Sequence, residues 1–496
     1  MERSCGILMP VSSLPSRHGI GTFGKAAYKF IDFLADSGQT WWQILPIGPT
    51  GYGDSQYQSF STFAGNPYFI DLDMLVQDGL LRHSEADWVN WGSDPSKVDY
   101  GAVYANRGKV LWKAFQRGWD SVQREAGDFA SRQAWIQDYS LFMALKEKYG
   151  MRAWSEWPDD IRMRREPALS KARSELADKI RYHVFVQYLF SKQWTVLRGY
   201  ARGKGIKIIG DVPIYVSMDS ADVWADPSLF QLDGDLRPVS VAGVPPDYFS
   251  KDGQLWGNPL YNWDRMKSDG YGWWIRRIEG ASRWYDAIRI DHFRGLESYW
   301  AVPAGEKTAK NGVWKKGPGL SFVTMLTQWF NGVQFIAEDL GILTPEVKEM
   351  LEESGLPGMK VLEFAFSSPG PGDYQPHRYT ENCVCYVGTH DNSTAEGWSR
   401  SVPKKEFERA RKYFGLNKEE GTAWGLIRGG MESSASLFIA QMQDYLELGD
   451  EARMNLPGTV GGNWTWRILP GQLSRSLSRK IADISARYER SSTCLR

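Results

Sequence analysis

The stretch YDAIRIDHFRG, residues 285–295, decides the fold. From Ile288 it runs apolar, charged, apolar, charged: Ile288, Arg289, Ile290, Asp291. A segment built on Ala287 and two isoleucines belongs in a core, yet it ends in Arg289, Asp291 and His292. It follows an amphipathic segment at 271–284, so it reads as a buried strand that comes after a helix. The charged residues then sit at the strand's C-terminal end.

Outward from this stretch the same arrangement recurs. CGILMP (5–10) precedes a helical pattern at 26–38, with Phe30, Phe33 and Leu34 at helical spacing. WWQILP (41–46), IKIIGDVPIY (206–215), VQFIAEDLG (333–341), MKVLEFAF (359–366), CVCYVGTHD (383–391) and RMNLPGTVG (453–461) complete a set of eight candidate strands. Continuous apolar strands alternating with helices imply a parallel sheet covered on both faces. Eight such units imply a closed (β/α)8 barrel of the α/β class, a TIM barrel.

The spacing is uneven. About 160 residues separate the strands at 41–46 and 206–215, far more than one crossover needs. The expectation is one barrel domain over 1–496, with an inserted, mainly helical subdomain at about 68–180 and a loop-rich insertion at about 215–284. No internal repeat or low-complexity linker marks a second independent domain.

Lys plus Arg and Asp plus Glu are 59 each, so the chain is neutral. That argues against nucleic acid or an anionic membrane as partner and suits a neutral ligand. No run approaches the ~20 apolar residues of a membrane span. MERSCGILMP lacks the apolar core of a secretory leader, so a cytoplasmic location is expected. Cys383 and Cys385 would point the same way on a strand, but their spacing fits no common zinc site. Buried reduced thiols are expected, with no metal and no cofactor. Aromatic residues are abundant, with 23 Trp, 23 Tyr and 22 Phe. Most belong in the core, and some can stack on the apolar C–H faces of sugar rings.

The candidate chemistry lies where strands end. KIIGD ends in Asp211, AIRID in Asp291, FIAED in Glu338 and Asp339, and YVGTHD in His390 and Asp391. In a (β/α)8 barrel these ends share one mouth. A single acid after a strand commonly caps the next helix, which is enough for Asp211 or Asp339 alone. Asp291 is different, because Arg289 lies two residues before it, on the same side of the strand. The guanidinium is expected to hold Asp291 ionised by lowering its pKa. An ionised, oriented carboxylate is a nucleophile, and a drier Glu338 would keep its proton and serve as general acid. Two carboxyls ~5–5.5 Å apart define a retaining glycosidase.

Longer motifs carry a resemblance. SLPSRHGIGTFG (13–24), WWQILPIGPTGYGDSQYQS (41–59), GDVPIYVSMDSADVW (210–224) and VAGVPPDYFSKDGQLWGNPLYNW (241–263) are followed by RIDHFRGLESYW (289–300), AEDLG (337–341), PGMKVL (357–362), GTHDN (388–392) and NLPGT (455–459). In this order they resemble the 4-α-glucanotransferases called amylomaltase or disproportionating enzyme, of the α-amylase superfamily. The resemblance covers nearly the whole chain. It implies transfer of α-1,4-glucan segments between maltooligosaccharides, starch or glycogen-type glucans, with glucose as an acceptor.

It also implies roles. Asp291 would be the nucleophile, Glu338 the general acid/base and Asp391 the third carboxylate. Arg289 would orient Asp291, His292 and His390 would contact the sugar at the cleavage point, and Asp211 would support them. Asp247, Tyr248, Phe249, Gln254 and Trp256 would lie on a lid over the cleft, and Tyr57 would be an aromatic platform for glucan. Gln56 stands in SQYQ (55–58) where the family usually has SPYQ, so the loop near Tyr57 lacks the φ that Pro would fix. Two other readings compete: an α-glucan hydrolase using the same carboxylates, and a glucan-binding protein without catalysis.

Overall fold

A computed structural model describes residues 2–246, 250–341, 343–367 and 372–491. Eight parallel strands form the centre: β1 (Ser4–Leu8), β2 (Trp41–Gln43), β3 (Lys207–Val212), β4 (Ala287–Ile290), β5 (Gln334–Ala337), β6 (Gly358–Val361), β7 (Cys383–Tyr386) and β8 (Leu437–Gln441). Sequence neighbours pair in a continuous ladder from β6 through β7, β8, β1, β2, β3 and β4 to β5. The remaining seam, between β5 and β6, is drawn together by two bonds. The Ala337 N–H donates to the Pro357 carbonyl at 2.9 Å, and the Met359 N–H donates to Asp339 Oδ1 at 2.6 Å. Gly358 permits this approach, because a Cβ there would stand 2.8 Å from the Asp339 carboxylate.

The continuous apolar runs reflect burial on both faces. Leu8, Trp41, Ile209, Ala287, Ile336, Met359, Val384 and Leu437 pack together as one core cluster. Ile7, Trp42, Ile208, Ile288, Phe335, Cys385 and Phe438, of the opposite parity, pack into the larger cluster shared with the surrounding helices. Cys383 and Cys385 belong to that same cluster, and burial pushes both thiols up to about 12. They are inert at neutral pH.

The eighth strand lies elsewhere than expected. Residues 453–461 are not a strand; Pro457 and Gly458 form a turn, and Gly458 has φ +80°. The strand is Leu437–Gln441, LFIAQ, which fills the place between β7 and β1.

Helices Tyr100–Ser131, Ile136–Lys148, Glu166–Glu175 and Ala177–Gly203 stand between β2 and β3. The last is clamped by two buried amides. Gln187 exchanges both hydrogen bonds with the Gly65 backbone (2.7 and 2.8 Å), and Gln193 does the same with Asp71 (2.7 and 3.1 Å). Lys146 pairs with Asp219 at 2.6 Å, and the Trp154 indole donates to the Met218 carbonyl, so the helical layer also holds the loop after β3.

A second sheet is antiparallel. Strands Ser240–Val244 and Gln254–Pro259 join Ser298–Pro303 and Val313–Lys316. The first two leave the loop after β3 and the last two the loop after β4, so this sheet stands at the C-terminal mouth. It also draws in Ser298–Pro303 and Val313–Lys316, beyond the insertion expected at about 215–284. No helix among the described residues is long and apolar enough to cross a membrane, and no metal-holding cluster of His, Cys, Asp and Glu occurs among them.

Candidate active site

Arg289 is the hub of the mouth. It is buried on β4, opposite Asp211 of β3 and Ile336 of β5. Its Nη1 donates to Asp211 Oδ2 at 2.6 Å and to Asp291 Oδ1 at 3.0 Å. Its Nε lies 3.3 Å from the Met359 sulfur, inside the barrel. The two-residue spacing thus sets guanidinium and carboxylate on one side of the strand, as alternation requires. Asp211 also accepts the Tyr57 hydroxyl at 2.6 Å.

Asp291 and Glu338 directly follow adjacent strands and keep the ladder going. The Asp291 N–H donates to the Val212 carbonyl (3.1 Å), and the Glu338 N–H to the Ile290 carbonyl (3.0 Å). Glu338 is held by backbone: its Oε2 accepts the His292 N–H at 2.7 Å and its Oε1 the Leu340 N–H at 2.9 Å. His292 adopts φ 50°, ψ 48°, a left-handed conformation that is uncommon outside glycine. That turn aims its amide at the carboxylate. The Trp256 ring meets the His292 ring edge-on, with centroids 4.8 Å apart, and the Trp256 indole donates to the Gln254 side chain at 3.2 Å. The antiparallel sheet therefore bears on this corner through Trp256, which Gln254 holds.

His390 and Asp391 come from the loop after β7. His390 stacks on Tyr57, with centroids 5.2 Å apart and planes 16° apart, and Trp464 lies 5.9 Å from both rings. Asp391 Oδ2 lies 3.3 Å from His390 Nε2, and its Oδ1 accepts from Asn455 Nδ2 at 2.6 Å. Gln56 is buried and donates to Ser12 Oγ at 3.3 Å. Asp247, Tyr248 and Phe249 lie outside the described residues.

The electrostatics differ from the sequence expectation at Asp291. Burial is the largest influence and raises its pKa. Arg289 lowers it, and Asp211, Glu338 and Asp391 raise it again. The net direction is upward: burial and the three neighbouring carboxyls outweigh a guanidinium that also serves Asp211 at 2.6 Å. Glu338 is raised too, by burial first, against Arg289 and its two backbone N–H bonds. Arg289 lowers both acids against burial, and its contact with Asp291 is a direct hydrogen bond at 3.0 Å. Burial would raise Asp391 as well, but His390 and Asn455 outweigh it and hold that carboxyl at about 2. Burial, aided by Arg294, pushes the His292 ring down to about 3, so it is neutral at working pH.

The structure brings Asp211, Arg289, Asp291, His292, Glu338, His390, Asp391, Tyr57 and Trp256 together, and Gln254 joins them through its bond to Trp256. Sequence reading missed Arg453, Asn455 and Trp464, which sit in the segment misread as a strand and its continuation. Pro457, with Gly458, Gly461 and Gly462 close behind, was the available signal that this segment is a loop.

Comparison with known proteins bears on this geometry. A family model described as 4-alpha-glucanotransferase, of the glycoside hydrolase 77 group, matches residues 9–472. The 4-alpha-glucanotransferase of Clostridium butyricum is 46% identical, covering 97% of this chain and 100% of that protein. That of Thermus thermophilus is 46% identical and covers 99% of each. The solved structure of amylomaltase from Streptococcus agalactiae in complex with acarbose superposes with a TM-score of 0.96 at 41% identity, over 99% of this chain and 100% of that one.

Proposed function

The chain belongs to the 4-alpha-glucanotransferase family, and on that premise we propose that Asp291 is the nucleophile, Glu338 the general acid/base and Asp391 the third carboxylate of a retaining transfer. The observation that carries this assignment is the asymmetry of the pair. Asp291 has the guanidinium at 3.0 Å, whereas Glu338 has only neutral backbone donors. The guanidinium orients Asp291 and opposes the protonation that burial favours there, and Glu338, raised by burial, keeps a proton to donate.

In the first step an Asp291 oxygen attacks the anomeric carbon of an α-1,4-glucan. The glycosidic C–O bond breaks, and the Glu338 proton passes to the departing 4-oxygen. A β-linked glucosyl-enzyme remains. In the second step Glu338, now a carboxylate, takes the proton of an acceptor 4-OH. That oxygen attacks the same carbon, releases Asp291 and restores an α-1,4 bond. Asp391 grips sugar hydroxyls and favours the flattened, cationic ring. Arg289 orients Asp291, Asp211 holds Arg289, and Tyr57, His292, His390, Gln254 and Trp256 line the bound glucan. A glucan that displaces water around Asp291, whose side chain is 27% exposed, strengthens each of these charge interactions.

Maltooligosaccharides and starch or glycogen-type glucans fit this reading as donors, and glucose as an acceptor. The neutral net charge and the aromatic mouth support it. So does a cytoplasmic enzyme acting as a monomer or weak homo-oligomer, for a chain with no membrane-spanning helix among its described residues. The test is maltotriose incubation with separate assays of glucose and total reducing ends. Disproportionation releases glucose at constant reducing ends. A rise in reducing ends that matches cleavage means a hydrolase, and no products at all mean a binding protein.

Arg289 gives a pH test. Arg289→Lys keeps one charge but on a shorter side chain, which withdraws it from the place where Nη1 now meets both carboxylates. Asp291, which Arg289 pulls down, should then rise further. The acid limb of kcat/KM should move to higher pH by about one unit, with the larger loss at low pH. An unshifted limb would mean that Arg289 acts on shape alone.

A further inference from the structure

NLPGT, residues 455–459, is a motif to which the resemblance attaches no role, and the structure supplies one. Asp291 and Glu338 inherit their positions from the strands they directly follow. Asp391 does not, because β7 ends at Tyr386 and Asp391 lies out in a turn. That turn is closed on itself. The Thr389 N–H and hydroxyl donate to Asn392 Oδ1 (2.9 and 2.8 Å), and the Asp391 N–H donates to the Thr389 hydroxyl (3.3 Å). Self-closure fixes the shape of the turn, not its place over the mouth.

The outside grip comes from the loop after β8. Arg453 Nη2 donates to the Asp391 carbonyl at 2.6 Å and Nη1 to Ser393 Oγ at 3.2 Å. Its Nε donates to the Asn455 carbonyl at 2.8 Å, bracing the second gripping residue. The Asn455 N–H donates to the His390 carbonyl (3.1 Å), and its Nδ2 donates to Asp391 Oδ1 (2.6 Å). The Asp391 side chain stays 43% exposed, facing the cleft, while each of its oxygens has one protein neighbour. The charged and titratable groups around it are His390 in its own loop, Arg289 and Asp291 from β4, Tyr57 from the loop after β2, and Arg453 behind its carbonyl.

We propose that Arg453 and Asn455 form a bracket that positions Asp391, with the Asn455 amide aiming the carboxylate and Arg453 locking the turn and the amide together. This rests on the role of Asp391 proposed above. Neither residue needs to touch sugar, so both are positioning residues.

Asn455→Asp is nearly isosteric and tests the bracket, because it exchanges the N–H donor for a carboxylate facing Asp391. At pH 7.5 the two anions repel, and kcat on maltotriose should fall about 100-fold, with KM changed less than about threefold. At pH 5 the pair takes up one proton, and the introduced carboxyl can donate an O–H to Asp391 in place of the amide. The ratio of variant to wild-type kcat should then recover by tenfold or more. Asn455→Ala, which cannot donate at any pH, should show a similar loss with no recovery. Equal, pH-independent ratios for the two variants, or a wild-type kcat in the Asn455→Asp variant at every pH, would overturn the bracket. Should Asn455→Asp fail to fold, Asn455→Ser replaces it: its short hydroxyl cannot span to Asp391, and unchanged kcat there overturns the proposal. Asp391→Asn separates the two readings. If it is inactive while Asn455→Asp behaves as wild type, only the bracket fails; if it is active, the role of Asp391 fails first.

Discussion

Replacing Asp291 by Asn is expected to lower disproportionation of maltotriose by about four orders of magnitude or more, since a neutral amide cannot take over as nucleophile. The fold should survive and the melting temperature should hold or rise. Asp291 is a carboxyl pushed up by burial and by Asp211, Glu338 and Asp391, with only a share of Arg289 to oppose them. Asn occupies the same volume, removes one of four crowded acids and leaves Arg289 its closer partner, Asp211, at 2.6 Å. A group placed against its own stability for the sake of chemistry should behave in this way. Thermal melting and initial-rate assays on the same preparation check both halves. Near-normal turnover would sink the nucleophile assignment. A large fall in melting temperature would mean that the Asp291–Arg289 contact, and not the chemistry, keeps this acid in place.

What the sequence could and could not show follows from how each feature is encoded. Barrel strands are local: a few apolar residues with a charged end after a helical stretch, legible at Ala287–Ile290 and Lys207–Val212 without knowing any partner. Leu437–Gln441 is equally apolar and flanked by Ser436. The segment at 453–461 is the poorer strand of the two, because Pro457 and Gly458 argue for a turn. The antiparallel sheet was hidden because its hairpins interleave two separate loops, so its pairing of 240–244 with 298–303 has no local signature. The direction of the Asp291 pKa was hidden for a related reason. Arg289 at two residues' remove is visible in sequence, but its prior claim on Asp211, 78 residues earlier, is a contact of the closed barrel. The stacking of Tyr57 on His390 and the grip of Asn455 on Asp391 are likewise products of closure.

Glu338→Gln should stop both half-reactions on ordinary glucans, because the leaving 4-oxygen then goes unprotonated and the acceptor 4-OH keeps its proton. The two steps can be uncoupled. α-Glucosyl fluoride carries a leaving group that departs without a proton, so Asp291 should still be glycosylated. With no base to activate an acceptor, the glucosyl-enzyme should accumulate, visible as one added glucosyl mass on the intact chain and on the peptide containing Asp291. Azide, an anionic nucleophile that needs no deprotonation, should discharge it to the α-glucosyl azide, since a second inversion restores the first configuration. The substitution has a local cost that must be measured beside it. Glu338 accepts N–H groups on both oxygens, from His292 and Leu340, and a Gln amide can accept on only one. The other amide then faces an NH2 group, at a cost of about 1–3 kcal/mol, and the left-handed turn at His292 is the first place to relax. Glu338→Ala avoids that donor–donor contact and should give the same adduct and the same azide product. Adduct in both variants, on Asp291 alone, is what a general acid/base predicts. Normal consumption of maltotriose by either variant, or adduct on another residue, would remove Glu338 from the role, whatever its place beside Asp291.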